Sequence, residues 1–160
     1  MTHLADVSPD LGRLLPATHA LLLVSNLVIH PIVERVTLEG SRGLGGHPRP
    51  DSDVDLSLVV RWGALPAEEP AREALLRAVL VTTLDSWHGP VECDLAAIYD
   101  ERGCGVCCFS GELHHVPECP AGGTCQFGIY KMQRGMNGYV PWEIIRMDLI
   151  YPLLEIWRRG

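Results

Sequence analysis

The chain has 160 residues, 47% of them apolar, which predicts one folded domain that buries its own core. Thirteen Lys and Arg residues stand against twenty Asp and Glu residues, and the net charge of -7 argues against a protein that binds long nucleic acid by neutralising phosphates. The longest apolar run, Ala20–Val24, is far too short for a membrane span, and the N-terminus lacks the pattern of an export signal. We therefore expect a cytoplasmic protein without membrane contact.

The first half of the chain alternates between helical and extended patterns. Apolar residues at roughly helical spacing from Pro9 to about Ile32 predict two short helices, because Pro16 breaks or kinks the run. The β-branched segment Arg35–Leu38 predicts a strand, and a loop rich in Gly and Pro follows it. Alternating residues over Asp53–Val60 predict a second strand.

The second half begins with a helix and a third strand. Pro66 and an apolar face predict a helix that extends to about Trp87, and Val91–Tyr99 has the pattern of a strand. Residues 100–126 form a Cys-, Gly- and His-rich stretch without a clear period, predicted as a loop. An apolar stripe predicts a last helix over residues 142–158. No repeat or long linker marks a second domain, so residues 1–160 are predicted to form a single α/β domain.

Three acidic residues are the best candidates for chemistry. Strand side chains alternate between faces, so Asp53 and Asp55 project to the same side, where their repulsion favours a divalent cation between them. Mg²⁺ prefers such oxygen ligands. On the third strand either Glu92 or Asp94 could complete a two-metal site, and Asp94 is favoured because it lies deeper in the apolar run.

The turn before the acidic pair suits a phosphate. Gly40 allows a ligand to approach the backbone closely, and Ser41 can donate hydrogen bonds from its hydroxyl and N–H. A phosphate-binding turn beside metal-binding carboxylates is typical of phosphoryl transfer.

The segments Leu38–Gly43 and Pro50–Leu56 resemble the GS…DxD signature of minimal nucleotidyltransferases in the DNA polymerase β-like superfamily. Val91–Leu95 is similar to the strand that carries the third carboxylate of that superfamily. The resemblance implies a small mixed sheet flanked by helices, with two Mg²⁺ ions and a triphosphate held at one end. The metal ligands that it implies are Asp53, Asp55 and Asp94, and the nucleotide-binding residues are Gly40, Ser41 and Arg42.

The expected reaction transfers a nucleoside monophosphate from an NTP, with ATP favoured, to an acceptor hydroxyl and releases pyrophosphate. The acceptor stays open between a small molecule, a partner protein and an RNA 3′ end, the last disfavoured by the acidic charge. Two alternatives belong to other classes. One is a partner-binding antitoxin module of a toxin–antitoxin pair, and the other is a catalytically silent domain that binds nucleotide or zinc.

Five of the six cysteines lie in the loop over residues 100–126. Cys104 and Cys107 have the spacing of a zinc-binding pair, which Cys119 and Cys125 could complete as a structural zinc site. The second half of this loop has no matching Cys-x-x-Cys pair, which favours reduced thiols over a zinc site. The sixth cysteine, Cys93, is predicted to pack in the core.

Several cations could reach a triphosphate. Lys131, Arg134 and Arg49 are candidates, and His47 could contact the phosphate or the acceptor. For these residues an ordinary solvated surface position is the favoured interpretation. The place of Arg42 next to Ser41 favours phosphate binding there.

Overall fold

The computed structural model describes residues 2–4, 14–43, 46–100, 127–141 and 154–159. These residues form two α-helices, two short 3₁₀ turns at Gly40–Arg42 and Trp62–Ala64, and eight strands. The helices are α1 (Pro16–Ser25) and α2 (Glu69–Leu84), and the strands are β1 (Thr2–His3), β2 (Val28–Ile29), β3 (Val33–Glu39), β4 (Val54–Val60), β5 (Cys93–Asp100), β6 (Phe127–Lys131), β7 (Gly138–Tyr139) and β8 (Leu154–Arg158).

Six of the strands form one mixed sheet in the order β7-β6-β5-β4-β3-β8, and β1 pairs with β2 in a small second sheet. Strands β4 and β5 are parallel, whereas the other paired strands are antiparallel. Helix α2 lies between β4 and β5 in the chain, as a parallel connection requires. The predicted mixed α and β class with a multi-stranded sheet is confirmed at this level.

Helix α2 forms because its first turn and its apolar face suit a helix that packs on a sheet. Glu69 and Pro70 occupy the first turn, where an acidic side chain favours the helix dipole and proline loses no hydrogen bond. One face is buried, and its members are Leu76, Val79, Leu80 and Thr83. After the helix, the Trp87 indole N–H donates to the Val91 carbonyl at 2.8 Å, which fixes the approach to β5.

The two faces of the large sheet have different chemistry. Leu38, Leu56 and Leu95 are buried on the face that joins the hydrophobic core. Because side chains alternate along a strand, Glu39, Asp55 and Asp94 belong to the opposite face. The candidate site therefore lies on a polar part of the sheet, while the packing that holds the strands lies behind it.

The predicted C-terminal helix over residues 142–158 is wrong for its last part. Residues 154–158 form strand β8, in which Leu154 pairs with Leu38 and Trp157 with Val36. Leu154, Ile156 and Trp157 are buried against β3 and the core, and this non-local pairing outweighs the local helical pattern. Residues 142–153 lie outside the described residues.

The second of the two helices predicted between Pro9 and Ile32 is present as α1, but it ends earlier than expected. Pro16 begins α1, since the first turn has no intrahelical use for the missing N–H. Asn26, in a left-handed conformation with φ 46°, ends this helix, and Val28–Ile29 continues as a strand. Residues 5–13 lie outside the described residues.

One of the predictions about the cysteines is tested by the structure, and the other is not. Cys93 is buried in the core, which confirms its predicted packing role. The possible zinc ligands Cys104, Cys107, Cys119 and Cys125 all lie outside the described residues, so the zinc site stays a prediction.

Across the described ranges, no helix has the length and apolar character needed to cross a membrane.

Candidate functional site

Three carboxyl groups form a row across three neighbouring strands. Asp55 on β4 lies opposite Asp94 on the parallel strand β5, and it also lies opposite Glu39 on β3. Register partners on neighbouring strands have their side chains about 5 Å apart at the Cβ atoms. The sheet itself therefore places these acidic groups side by side.

Gly40 begins the turn that follows β3, and it lies directly against this row. Its φ of 73° is in the left-handed region, and a Cβ atom at this position would collide with the carboxylate of Asp55. The N–H of Gly43 donates to the Gly40 carbonyl at 3.1 Å and closes the turn. Ser41 is partly exposed at the same turn. The structure thus brings the Gly-Ser turn and Asp55 together.

Arg42 is buried beneath the loop, with only 3% of its surface exposed. Its guanidinium donates to the Ser52 carbonyl at 3.0 Å and to the Thr18 hydroxyl on α1 at 3.1 Å. Two further donations, each of 3.4 Å, go to the carbonyls of Arg49 and Pro50. We therefore correct the predicted nucleotide-binding role of Arg42 to a positioning role, in which it ties the loop before Asp53 to α1.

Asp53 precedes β4 and is held by a residue that is distant in sequence. Arg134 forms a close ion pair with the Asp53 carboxylate, and its guanidinium also lies 3.6 Å from oxygens of both Glu92 and Asp94. Lys131 provides a second cation, with Nζ 2.9 Å from Asp94 Oδ1 and donating to Oδ2 at 3.0 Å. Arg134 therefore links Asp53 to Asp94, and Lys131 adds a second positive charge beside Asp94.

Lys131 and Arg134 belong to the hairpin that joins β6 to β7. The Met136 N–H donates to the Gln133 carbonyl at 3.0 Å, and the two residues between them, Arg134 and Gly135, both have positive φ. The Gln133 side chain accepts from the Leu95 N–H at 2.8 Å and donates to the Cys93 carbonyl at 3.0 Å. These two bonds join the hairpin to the main chain of β5 on either side of Asp94, and they hold the hairpin beside that residue.

Lys131 departs from the expectation of a solvated surface position, because its side chain is 20% exposed and pairs with Asp94. Arg134 is exposed as expected, although it also pairs with Asp53. The expectation holds for His47, which is exposed, and for Arg49, whose ion pair with Asp51 joins two side chains that are each about 80% exposed. Sequence reasoning could not separate the two kinds of cation, because β6 meets β5 only through a long-range pairing.

The acidic row changes the protonation of its own members. Burial, and then the neighbouring charge of Asp94, raise the pKa of Asp55 to about 6. Burial also raises the pKa of Glu39 well above its ordinary value, and the repulsion from Asp55 acts in the same direction. The Ser57 hydroxyl donates to Glu39 in a short contact, and the Thr37 hydroxyl donates at 3.3 Å.

Glu39 is the site residue that sequence reasoning missed. It precedes Gly40 at the end of β3, and one acidic residue in a strand carries no signal by itself. The available signal was its position: in an antiparallel pair that ends at a Gly-Ser turn, the last residue of one strand lies beside the first residues of the next. Asp55 occupies that neighbouring position.

The donor set fits a divalent cation in its charge and chemistry. Asp94 Oδ1 is buried and accepts no hydrogen bond from the described residues, although Lys131 lies beside it. Asp94 has 13% of its side chain exposed, whereas its rival Glu92 has 53%, so Asp94 is better placed in the row. Among the residues described, no three His, Cys, Asp or Glu side chains already have the arrangement of a metal site.

A separate cleft of about 590 Å³ is lined by none of these carboxylates. Its walls include Trp62, Tyr99 and Tyr139, with the Arg72 guanidinium 5.1 Å from the Trp62 ring centre. Arg72 donates to the Tyr139 hydroxyl at 3.2 Å and to the Ala67 carbonyl at 3.0 Å. This arginine is therefore engaged in holding the helix start to β7.

Comparison with protein-family models, with curated proteins and with solved structures finds no match for this chain.

Proposed function

We propose that the protein is a nucleotidyltransferase of the DNA polymerase β-like type, which transfers a nucleoside monophosphate from an NTP to an acceptor hydroxyl. The observation that supports this most is the meeting of Asp55 and Asp94 on parallel neighbouring strands, with Asp55 packed against Gly40 of the Gly-Ser turn. Acidic groups of this kind beside a partly exposed Gly-Ser turn suit the binding of a metal-bound triphosphate. A cytoplasmic location remains part of this proposal.

The proposed reaction forms one bond and breaks one. The acceptor oxygen attacks the α-phosphorus, the bond from this phosphorus to the oxygen of the β-phosphate breaks, and pyrophosphate leaves. In this scheme Gly40 and Ser41 bind the triphosphate through the turn, and Asp94 takes the proton that the acceptor hydroxyl loses.

Asp53, Asp55 and Asp94 would hold Mg²⁺, which when bound offsets phosphate charge and stabilises the attacking and leaving oxygens. The protein residues prepare this site in two ways. The sheet register aligns Asp55 with Asp94, and the hydrogen bonds of Arg42 hold the loop that delivers Asp53. ATP is the favoured nucleotide, and the acceptor is a small molecule or a protein, given the acidic charge of the chain.

The test measures nucleotide binding and transfer separately. The purified protein is incubated with Mg²⁺ and each α-labelled NTP, first alone and then with fractionated small molecules and proteins, and pyrophosphate release is followed. We expect Asp94→Asn to reduce transfer by at least about 100-fold, as the loss of a general base or metal ligand does. Asp51→Asn is the matched control, because this acid is two residues from Asp53 but about 80% exposed and outside the row.

Retention of full transfer by Asp94→Asn would overturn the proposed chemistry. Failure of any NTP to bind in the presence of Mg²⁺ would overturn the nucleotide-binding role as well.

One observation favours a second candidate, a non-catalytic nucleotide-binding domain. Lys131 pairs with Asp94, and Arg134 pairs with Asp53 and lies near Asp94, so these cations can neutralise part of the acidic charge without a metal. Such a protein would act through the partners it binds, as in the antitoxin alternative. Tight NTP binding that is unaffected by Mg²⁺, together with no pyrophosphate release, would support this candidate over the first.

A further inference from the structure

Arg134 lies close to three carboxylates of the candidate site. Its guanidinium pairs closely with Asp53 and lies 3.6 Å from both Glu92 and Asp94. A group that contacts three carboxylates occupies the kind of position in which a divalent cation would neutralise the same charges.

The backbone at Arg134 is held in an unfavourable conformation for this residue type. Arg134 and Gly135 have φ of 58° and 78°, and the Gln133–Met136 hydrogen bond closes a tight turn around them. Asn, Asp or Gly is the usual residue at the first of two such positions. Strain of this kind is characteristic of functional sites, and here the turn directs a long cationic side chain toward Asp53, Glu92 and Asp94.

The two hairpin cations are attached with different firmness. Lys131 lies on β6, and its side chain is only 20% exposed, whereas the Arg134 side chain is 44% exposed on the turn. Ion pairs with this degree of exposure change an equilibrium by about fivefold or less. Arg134 is therefore the cation that a competing ion can replace.

We propose that Arg134 is an internal cation that competes with the divalent metal for Asp53 and Asp94, and that a bound triphosphate attracts it away from them. The competition between Arg134 and the metal concerns this chain's residues alone, whereas the effect of the triphosphate rests on the proposed function. A triphosphate brings several negative charges to the Gly-Ser turn, so it gives the displaced guanidinium a new partner. Metal and nucleotide then favour each other's binding, and this coupling must be reciprocal.

The test uses Mn²⁺ as the probe, with its affinity measured by electron paramagnetic resonance on the full chain without nucleotide. Arg134→Asn removes the charge and introduces a residue that suits the left-handed turn. We expect this variant to bind Mn²⁺ about two- to fivefold more tightly than the parent protein, since exposed ion pairs have effects of this size. A residue with a merely structural role would weaken metal binding when replaced.

Two further variants make the comparison specific. Arg134→Lys keeps the positive charge and should restore most of the parent affinity. Arg61→Asn removes an exposed arginine that is 4.0 Å from Glu34 and outside the acidic row, and it should leave Mn²⁺ affinity unchanged. Circular dichroism melts establish that each variant is folded under the conditions of the titration.

The effect of the triphosphate is tested by repeating the titrations with a nonhydrolysable NTP. In the parent protein the nucleotide should tighten Mn²⁺ binding more than it does in Arg134→Asn. Equal or weaker Mn²⁺ affinity of Arg134→Asn without nucleotide would overturn the competition. Failure of the nucleotide to bind would instead overturn the proposed function, and the nucleotide-free result would still decide the role of Arg134.

Discussion

Asp55 has a carboxyl group on each side, Glu39 on β3 and Asp94 on β5, so its charge is costly in the folded chain without a cation. Its pKa of about 6 lies above the ordinary value of 3.8, and burial is the largest cause. A raised pKa means that protonation stabilises the fold below about pH 4, and that this stabilisation is lost as the pH rises through 6.

The first prediction concerns Asp55→Asn in the absence of divalent ions. At pH 7.5 the variant should be more stable than the parent by about 1–2 kcal/mol, a value reduced for partial solvent screening, because asparagine removes the repelled charge. At pH 4 the two proteins should have similar stability. Urea unfolding with a chelator measures this, and Asp51→Asn should show no such difference. A destabilised Asp55→Asn at pH 7.5 would contradict the repulsion.

A second prediction concerns Gly40→Ala. The positive φ and the nearby Asp55 carboxylate both oppose a Cβ atom, so we expect a loss of about 1–3 kcal/mol in stability and a loss of metal binding. Gly63→Ala is the control, because no atom lies within 4 Å of a Cβ at that glycine. Thermal unfolding and Mn²⁺ titration of both variants provide the measurement. Equal stability and equal Mn²⁺ affinity of the two variants would show that the close approach of Gly40 to Asp55 has no such effect.

The residue pattern identified part of this site. Period-two alternation predicted that Asp53 and Asp55 share a face, the turn chemistry indicated Gly40 and Ser41, and the place of Asp94 in the apolar run favoured it over Glu92. Glu39 and Arg134 escaped, because their relation to the row comes from strand register and from a hairpin about 80 residues away in the sequence. Arg42 was assigned to phosphate by its neighbour in sequence, although burial commits its guanidinium to the loop.

The large sheet joins strands from both ends of the described chain. Strands β4 and β5 and helix α2 were predictable because their apolar patterns are long, and β3 was predictable from a short β-branched segment that ends at Gly40. Strand β8 was not. In its five residues the spacing of Leu154 and Trp157 fits a helix, and only pairing with β3 decides between the two.

The third prediction tests β8. Trp157 is 1% exposed and packs in the core, so Trp157→Ala should cost about 3–5 kcal/mol, the usual range for removing a buried aromatic side chain. Arg158→Ala on the same strand replaces a side chain that is 61% exposed, and it should change stability by less than about 0.5 kcal/mol. Chemical denaturation of the two variants gives the comparison. Similar losses would mean that β8 contributes little to the fold.

The net charge of -7 includes an acidic row that two cations only partly balance. Any ion that binds the folded chain and not the unfolded one stabilises the fold by mass action. The protein should therefore report the occupancy of its site through its overall stability.

The fourth prediction follows from this linkage. At pH 7.5, Mg²⁺ at about ten times its dissociation constant should raise the free energy of unfolding by about 1.4 kcal/mol. Near pH 5 the shift at the same concentration should be smaller, because the pKa of Asp55 is about 6 and its protonated carboxyl group is a poor ligand. Thermal shift assays at both values test this. An equal shift in Asp55→Asn would show that Mg²⁺ binds elsewhere.

The parallel pairing of β4 with β5 has one more consequence. Asp55 and Asp94 lie on strands whose main-chain hydrogen bonds are in the centre of the sheet. An ion that removes the repulsion between the two carboxylates therefore also stabilises the hydrogen bonds between these strands. Ion binding at the acidic row would then slow the exchange of the amide hydrogens of β4 and β5 with solvent. The buried centre of the fold would thus respond most directly to the ion.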